Sequence, residues 1–106
     1  MKRLDGKCLT VVKINNNNYS IRATEHGLER MLQRKVSEEM VINGVLSLGK
    51  EKLLELKYEG KKTMIIDQIN KITIVLDFKK NTFKIVTVIN NINVFIKEGQ
   101  KVERVI

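Results

Sequence analysis

A chain of 106 residues has room for one core that removes roughly two-thirds of the unfolded surface from water, which excludes a second independent domain. With 42% hydrophobic and 30% charged residues it has the make-up of a globular protein, and no apolar run approaches the ~18 residues of a membrane span. Twenty Lys and Arg against twelve Asp and Glu give a formal charge of +8 and a pI near 9.8, a field that attracts polyanions and makes nucleic acid the first partner to consider. A lysine-rich surface also serves solubility alone, so the charge is a prior and not a site.

The opening MKRLDGKCL shows no apolar leader or small-residue cleavage pattern, and the expectation is a cytoplasmic protein with no membrane association. Cys8 has no partner for a disulfide and no histidine nearby to activate it, and it reads as a small buried hydrophobe in a strand. The stretches Lys7 to Ile14 and Tyr19 to Ala23 flank Asn15 to Asn18, residues that tolerate left-handed turns, and predict an N-terminal hairpin.

Thr24 is a good N-cap, followed by Glu25 in the first turn, and a helix is predicted from there to about Lys35 with Leu28, Met31 and Leu32 as its apolar stripe. Ser37 caps a second helix that opens with Glu38 and Glu39 and carries Val41, Ile42, Val45 and Leu48, with Gly49 as its stop. Beyond Gly49 the period changes to two. "KLLELKYE" places Leu54, Leu56 and Tyr58 on one face of a strand, Gly60 makes the next turn, and "TMIIDQI", "ITIVLDF" and "FKIVTVI" follow as strands. "NVFIK" is a last strand candidate, and the tail "KVERVI" is expected to be ordered only if it pairs at an edge. The whole predicts an α+β domain over residues 1–106: an N-terminal hairpin and two helices packed on an antiparallel sheet of about four to five strands.

On the first predicted helix, at about 100° per residue, Arg30 and Arg34 fall about 40° and 80° from His26, while Leu28, Met31 and Leu32 fall at about 140–240°. The histidine and the two arginines therefore share a ridge clear of the apolar stripe. Two arginines four apart repel by roughly 0.2–0.5 kcal/mol, a cost that a bound phosphate reverses. The competing explanation is a solvated face whose arginines pair weakly with Glu25, Glu29, Glu38 or Glu39. An imidazole beside guanidiniums is what cleavage of an RNA phosphodiester uses: a base for the 2′-hydroxyl proton and fixed cations for the phosphorane. RNA brings its own nucleophile, so this chemistry requires no cofactor and no metal.

The pattern Thr24-x-His26-x-x-x-Arg30-Met31-x-x-Arg34-x-Val36-Ser37-x-x-x-Val41 resembles the opening of a small bacterial family that begins with a His-Ala-x-x-Arg-Met-x-x-Arg-x-Ile-Ser helix pair. "ITIVLDFKKNTFKIVTVI" is similar to that family's closing hairpin, with Thr87 at its recurrent threonine, and the likeness covers about residues 20–90. The family is grouped with the toxin-like ribonucleases that include RelE, BrnT, EndoU and the colicin tRNases. The resemblance implies a RelE-like fold with a curved antiparallel sheet, RNA as substrate, and His26, Arg30 and Arg34 as catalytic-site candidates, with Thr87 a weaker one; separately, an exposed strand edge or the basic face could dock an acidic partner such as an antitoxin or immunity protein. Gly27 departs from the usual alanine, which loosens the first turn by up to about 1 kcal/mol. Strict alternation puts Thr87 on one face with Phe83, Ile85 and Ile89, where it also reads as an ordinary β-former.

Lys57, Tyr58, Lys61 and Lys62 are candidate substrate contacts if their turn lies beside the first helix. One His and one Cys eighteen positions apart do not make a metal site, and no phosphate-binding glycine loop occurs. The sequence thus supports a metal-independent endoribonuclease, with a non-catalytic nucleic-acid-binding or partner-binding module on the same scaffold as the alternative.

Overall fold

A computed structural model of the chain describes residues 6–106. Residues 1–5, part of the opening read as lacking a leader, lie outside the described residues. In chain order the elements are β1 (Lys7–Ile14), β2 (Asn17–Ala23), α1 (Glu25–Gln33), α2 (Glu38–Leu46), α3 (Lys50–Glu59), β3 (Thr63–Asp67), β4 (Ile72–Lys79), β5 (Thr82–Ile89) and β6 (Lys101–Val105). The strands form one sheet in the order β1-β2-β5-β4-β3-β6.

The hairpin forms as expected. Asn15 and Asn16 take φ of 52° and 67° in a two-residue turn closed by the Ile14–Asn17 pair, the left-handed geometry that matches strand twist and suits asparagine. Both predicted caps hold: Thr24 Oγ1 accepts from Gly27 N at 3.0 Å, and Ser37 Oγ accepts from Met40 N at 3.1 Å.

Residues 50–59 correct the expectation of a strand. In α3, Leu53 and Leu56, three apart, are fully buried, while Tyr58, expected on the same face as Leu56, is 80% exposed. Lys, Glu and Leu are strong helix formers and nothing in Lys50–Glu59 is β-branched. Gly49 (φ 90°) and Gly60 (φ 69°) bound the helix, so Gly49 serves as the N-cap of α3, whereas α2 stops at Leu46.

The sheet corrects the rest of the predicted architecture. Among the described residues there are three helices, not two, and six strands, not four to five, because the N-terminal hairpin joins the sheet as its outer pair. The sheet is mixed, not antiparallel: β2 runs parallel to β5 and β3 parallel to β6. This arrangement needs long crossovers over the sheet, and the chain supplies two: one through the three helices carries it from β2 past β5 and β4 to β3, and one through residues 90–100 carries it from β5 past β4 and β3 to β6. "NVFIK" lies in the second crossover with Phe95 80% exposed and forms no strand, while the tail is ordered as β6 by pairing with β3 at the edge.

Register assigns the faces. Ile21, Ala23, Phe83, Ile85, Val88, Leu76, Ile74 and Ile65 share one face, covered by α2 and α3, and form the core with Val41, Val45 and Leu53. Gly44 lets α2 settle there, since a Cβ would stand 2.8 Å from Ile74 Cδ1. The other face is crossed by residues 90–100 at β4, where Thr73 Oγ1 donates to Asn91 O at 2.7 Å. At β2 and β5 it carries Arg22, Thr82 and Lys84.

Two register shifts move residues from where alternation put them. A bulge in β5 at Val86 places Thr87 opposite Val75, on the face of Lys84 and Ile89 and away from Phe83 and Ile85. A second shift, between Cys8 and Thr10, leaves Cys8 exposed where a buried residue was expected, with Leu9 packed toward the core.

Candidate functional site

Where β2 ends, its place beside β5 passes to α1. Thr24 N donates to Ile85 O at 3.0 Å and the Thr24 hydroxyl donates to the same oxygen at 3.2 Å, so one residue caps the helix and fastens it to the strand. Gly27 then passes so close to β5 that a Cβ would stand 2.4 Å from Ile85 O. At the far end Arg34 Nη1 donates to Val88 O at 2.6 Å, and Asn90 Nδ2 donates to Arg34 O at 2.9 Å. The β5 bulge makes the first contact possible: Asn81 and Ile85 carbonyls point to the β2 side at even spacing, and the extra residue brings Val88 onto that side.

These contacts set the rotation of α1. Gly27 and Met31 are buried toward β5, and Leu28, about 100° further round, packs toward the helix-covered core. His26, about 100° the other way, therefore turns toward the opposite face of the sheet and is exposed. Leu32, expected in the apolar stripe, is 82% exposed because α1 is buried along only a narrow strip.

His26 and Arg30 come together. Arg30 Nε donates to His26 Nε2 at 3.3 Å, and Arg30 Nη1 donates to Gln33 Oε1 at 2.6 Å. A guanidinium can only donate, so in this contact Nε2 presents its lone pair. The result is an imidazole and a cation in contact on an exposed helix flank, with the guanidinium held from its other end by Gln33. None of the ion pairs among the described residues involves Arg30 or Arg34; Glu38, a possible partner for them by sequence, pairs with Lys7 at 2.6 Å.

Arg34 does not join the pair. Half-buried, its side chain is spent on Val88 O and ties down the C-terminal end of α1. Thr87 is half-buried on the sheet face toward which His26 turns. Lys57, Tyr58 and Lys62 lie elsewhere. Lys57 Nζ sits 5.9 Å from the Tyr19 ring and 5.5 Å from the Tyr58 ring, at the start of β2 and on the helix-covered face. Five strand residues, about 16 Å, separate Tyr19 from Thr24. Lys62 is exposed in the loop after α3, where its carbonyl accepts from Gln100 Nε2.

Sequence reasoning missed two features. Gln33, three residues after Arg30, could have been found from helical spacing alone. The pairing of Arg22 with Lys84 across the parallel β2–β5 ladder could not, because nothing local announces a parallel partner sixty residues away.

No family model matches the chain, and no curated protein or solved structure matches it. Among the described residues no helix is long and apolar enough to cross a membrane, and no group of three His, Cys, Asp or Glu side chains could hold a metal ion.

Proposed function

We propose that the chain is a metal-independent endoribonuclease in which His26 and Arg30 form the reacting pair. The observation that carries this reading is the 3.3 Å contact between Arg30 Nε and His26 Nε2 on an exposed flank, where Arg30 takes part in no ion pair among the described residues. The resemblance of the α1 sequence to the toxin-like ribonucleases, and the charge of +8, point the same way.

In the proposed reaction the scissile phosphate settles against Arg30, whose remaining N–H groups receive its oxygens while His26 Nε2 is released to take the 2′-hydroxyl proton. The 2′-oxygen attacks phosphorus, the bond from phosphorus to the 5′-oxygen of the next nucleotide breaks as that oxygen takes a proton from solvent water, and a 2′,3′-cyclic phosphate remains while His26 returns its proton to solvent. Arg34 positions the helix, and Thr87 borders the path of the substrate. An antitoxin or immunity protein would act by covering this flank.

The test is incubation of the purified chain with total RNA in EDTA. Cleavage leaving cyclic phosphate ends is expected, with a loss of about 10²–10⁴-fold in His26→Ala at unchanged melting temperature. One observation favours a second reading, a non-catalytic RNA-binding module: Arg30 occupies the only nitrogen of His26 that presents a lone pair. Intact RNA after incubation, with salt-sensitive binding, would decide for that module.

A further inference from the structure

Arg22 on β2 and Lys84 on β5 stand directly opposite each other in the parallel ladder, on the sheet face away from the helices. Like charges placed so oppose sheet formation. Beside them on the same face, Lys79 pairs in register with Thr82, and the Ser20 and Thr82 hydroxyls share a hydrogen bond at 3.2 Å. Arg22, Lys79, Thr82 and Lys84 line an open cleft of about 510 Å³ together with Ala23, Thr24 and Glu25. That volume is in the range of sites that hold small ligands, roughly 300–1,000 Å³.

Three cations face one carboxylate in this lining, and none of the three takes part in an ion pair among the described residues. Asp77 stands across from Lys84 on the other side, and its Oδ1 accepts from Phe78 N. The cleft contains no aromatic ring, so what it offers a ligand is charge and hydroxyl groups. It begins at Thr24 and Glu25, immediately before His26, on the side of the sheet toward which His26 turns.

We propose that this cleft holds the backbone phosphates of a single RNA strand next to the position cut at His26, with Arg22 and Lys84 clamping one phosphate between them and Lys79 contacting the next. The proposal rests on the reading of the chain as acting on RNA. Contacts of this kind neutralise the backbone without reading bases, so the cleft positions the strand and leaves sequence choice open.

The test uses a fluorescent single-stranded oligonucleotide with 2′-O-methyl groups, which cannot be cleaved, and measures anisotropy across a salt series. The salt slope is expected to fall by about 0.7 for each phosphate contact removed, in Arg22→Gln/Lys84→Gln and, independently, in the exposed Lys79→Gln. An unchanged slope in both the double variant and Lys79→Gln, with all proteins folded by circular dichroism, overturns the cleft, as does failure of the unaltered chain to bind. Cleavage of unmodified RNA alongside unchanged slopes would leave the nuclease standing and remove the cleft. Reduced slopes with no cleavage would do the reverse.

Discussion

Gly27 and the Ile85 carbonyl approach each other so closely that a Cβ on the glycine would stand 2.4 Å from the oxygen. The family pattern that the α1 sequence resembles has alanine here, and alanine is worth up to about 1 kcal/mol more in a helix. In this chain the contact decides, because the oxygen belongs to strand backbone and moves only if α1 and β5 part. Gly27→Ala is expected to destabilise by about 1–3 kcal/mol, read as a lower urea midpoint; a raised midpoint would show that α1 does not sit against Ile85.

Arg30 and Arg34 lie four residues apart yet differ in role. Arg34→Gln removes a charged donor from the Val88 carbonyl and is expected to cost about 1.5–3 kcal/mol. Arg30→Gln breaks only contacts at the surface, to His26 and Gln33, and should leave the melting temperature within a degree or two of the original, about 0.5 kcal/mol at most. If the ribonuclease reading holds, the stable variant is the one that loses cleavage. Thermal scans of both proteins separate these roles before any activity is measured.

Lys35 sits in the left-handed region at φ 57° as the residue that reverses the chain after α1, with Lys35 N bonded to Leu32 O and Val36 N to Met31 O. Glycine is the residue this position favours, and lysine pays for its Cβ. Lys35→Gly should stabilise by about 0.5–1 kcal/mol, and calorimetry that showed a loss would mean the turn is shaped differently.

What could be read from the sequence was local. Thr24 and Ser37 announce their helices by side-chain chemistry that acts within three residues, and Asn15-Asn16 announces its turn in the same way. The His26–Arg30 contact was readable because helical spacing alone brings residues four apart together. Residues 50–59 misled because leucines at 54 and 56 alternate like a strand while Leu53 and Leu56 carry the burial. The parallel pairings of β2 with β5 and β3 with β6 have no local signature, so the strand count, the basic cleft and the separation of Lys57 from His26 lay out of reach. Thr87 was misplaced by a single bulged residue.

Lys52 links α3 to the far edge of the sheet. Its hydrogen bond to Glu55, aided by the charges of Glu103 and Glu55, raises its ammonium above the ordinary 10.5. A lysine raised on folding contributes stability that is fully present below its unfolded pKa and is lost as pH rises through the folded value. The difference in melting temperature between the unaltered chain and Lys52→Met should therefore be constant at neutral pH and shrink above 10.5. A difference that grew with alkalinity would contradict the pairing.

β6 closes the sheet on the side of β3, whose five residues are all buried. Removing residues 101–106 would strip the parallel partner from Thr63 to Asp67 and take away Val105, which belongs to the core. It would also uncover a flat edge beside Met64, Ile65 and Ile66, a run of the kind that recruits other strands. The expected result is a chain that still forms helices by circular dichroism but melts earlier and self-associates in sedimentation as its concentration rises. A truncated chain that stayed monomeric at its original melting temperature would mean that β6 adds little to the sheet.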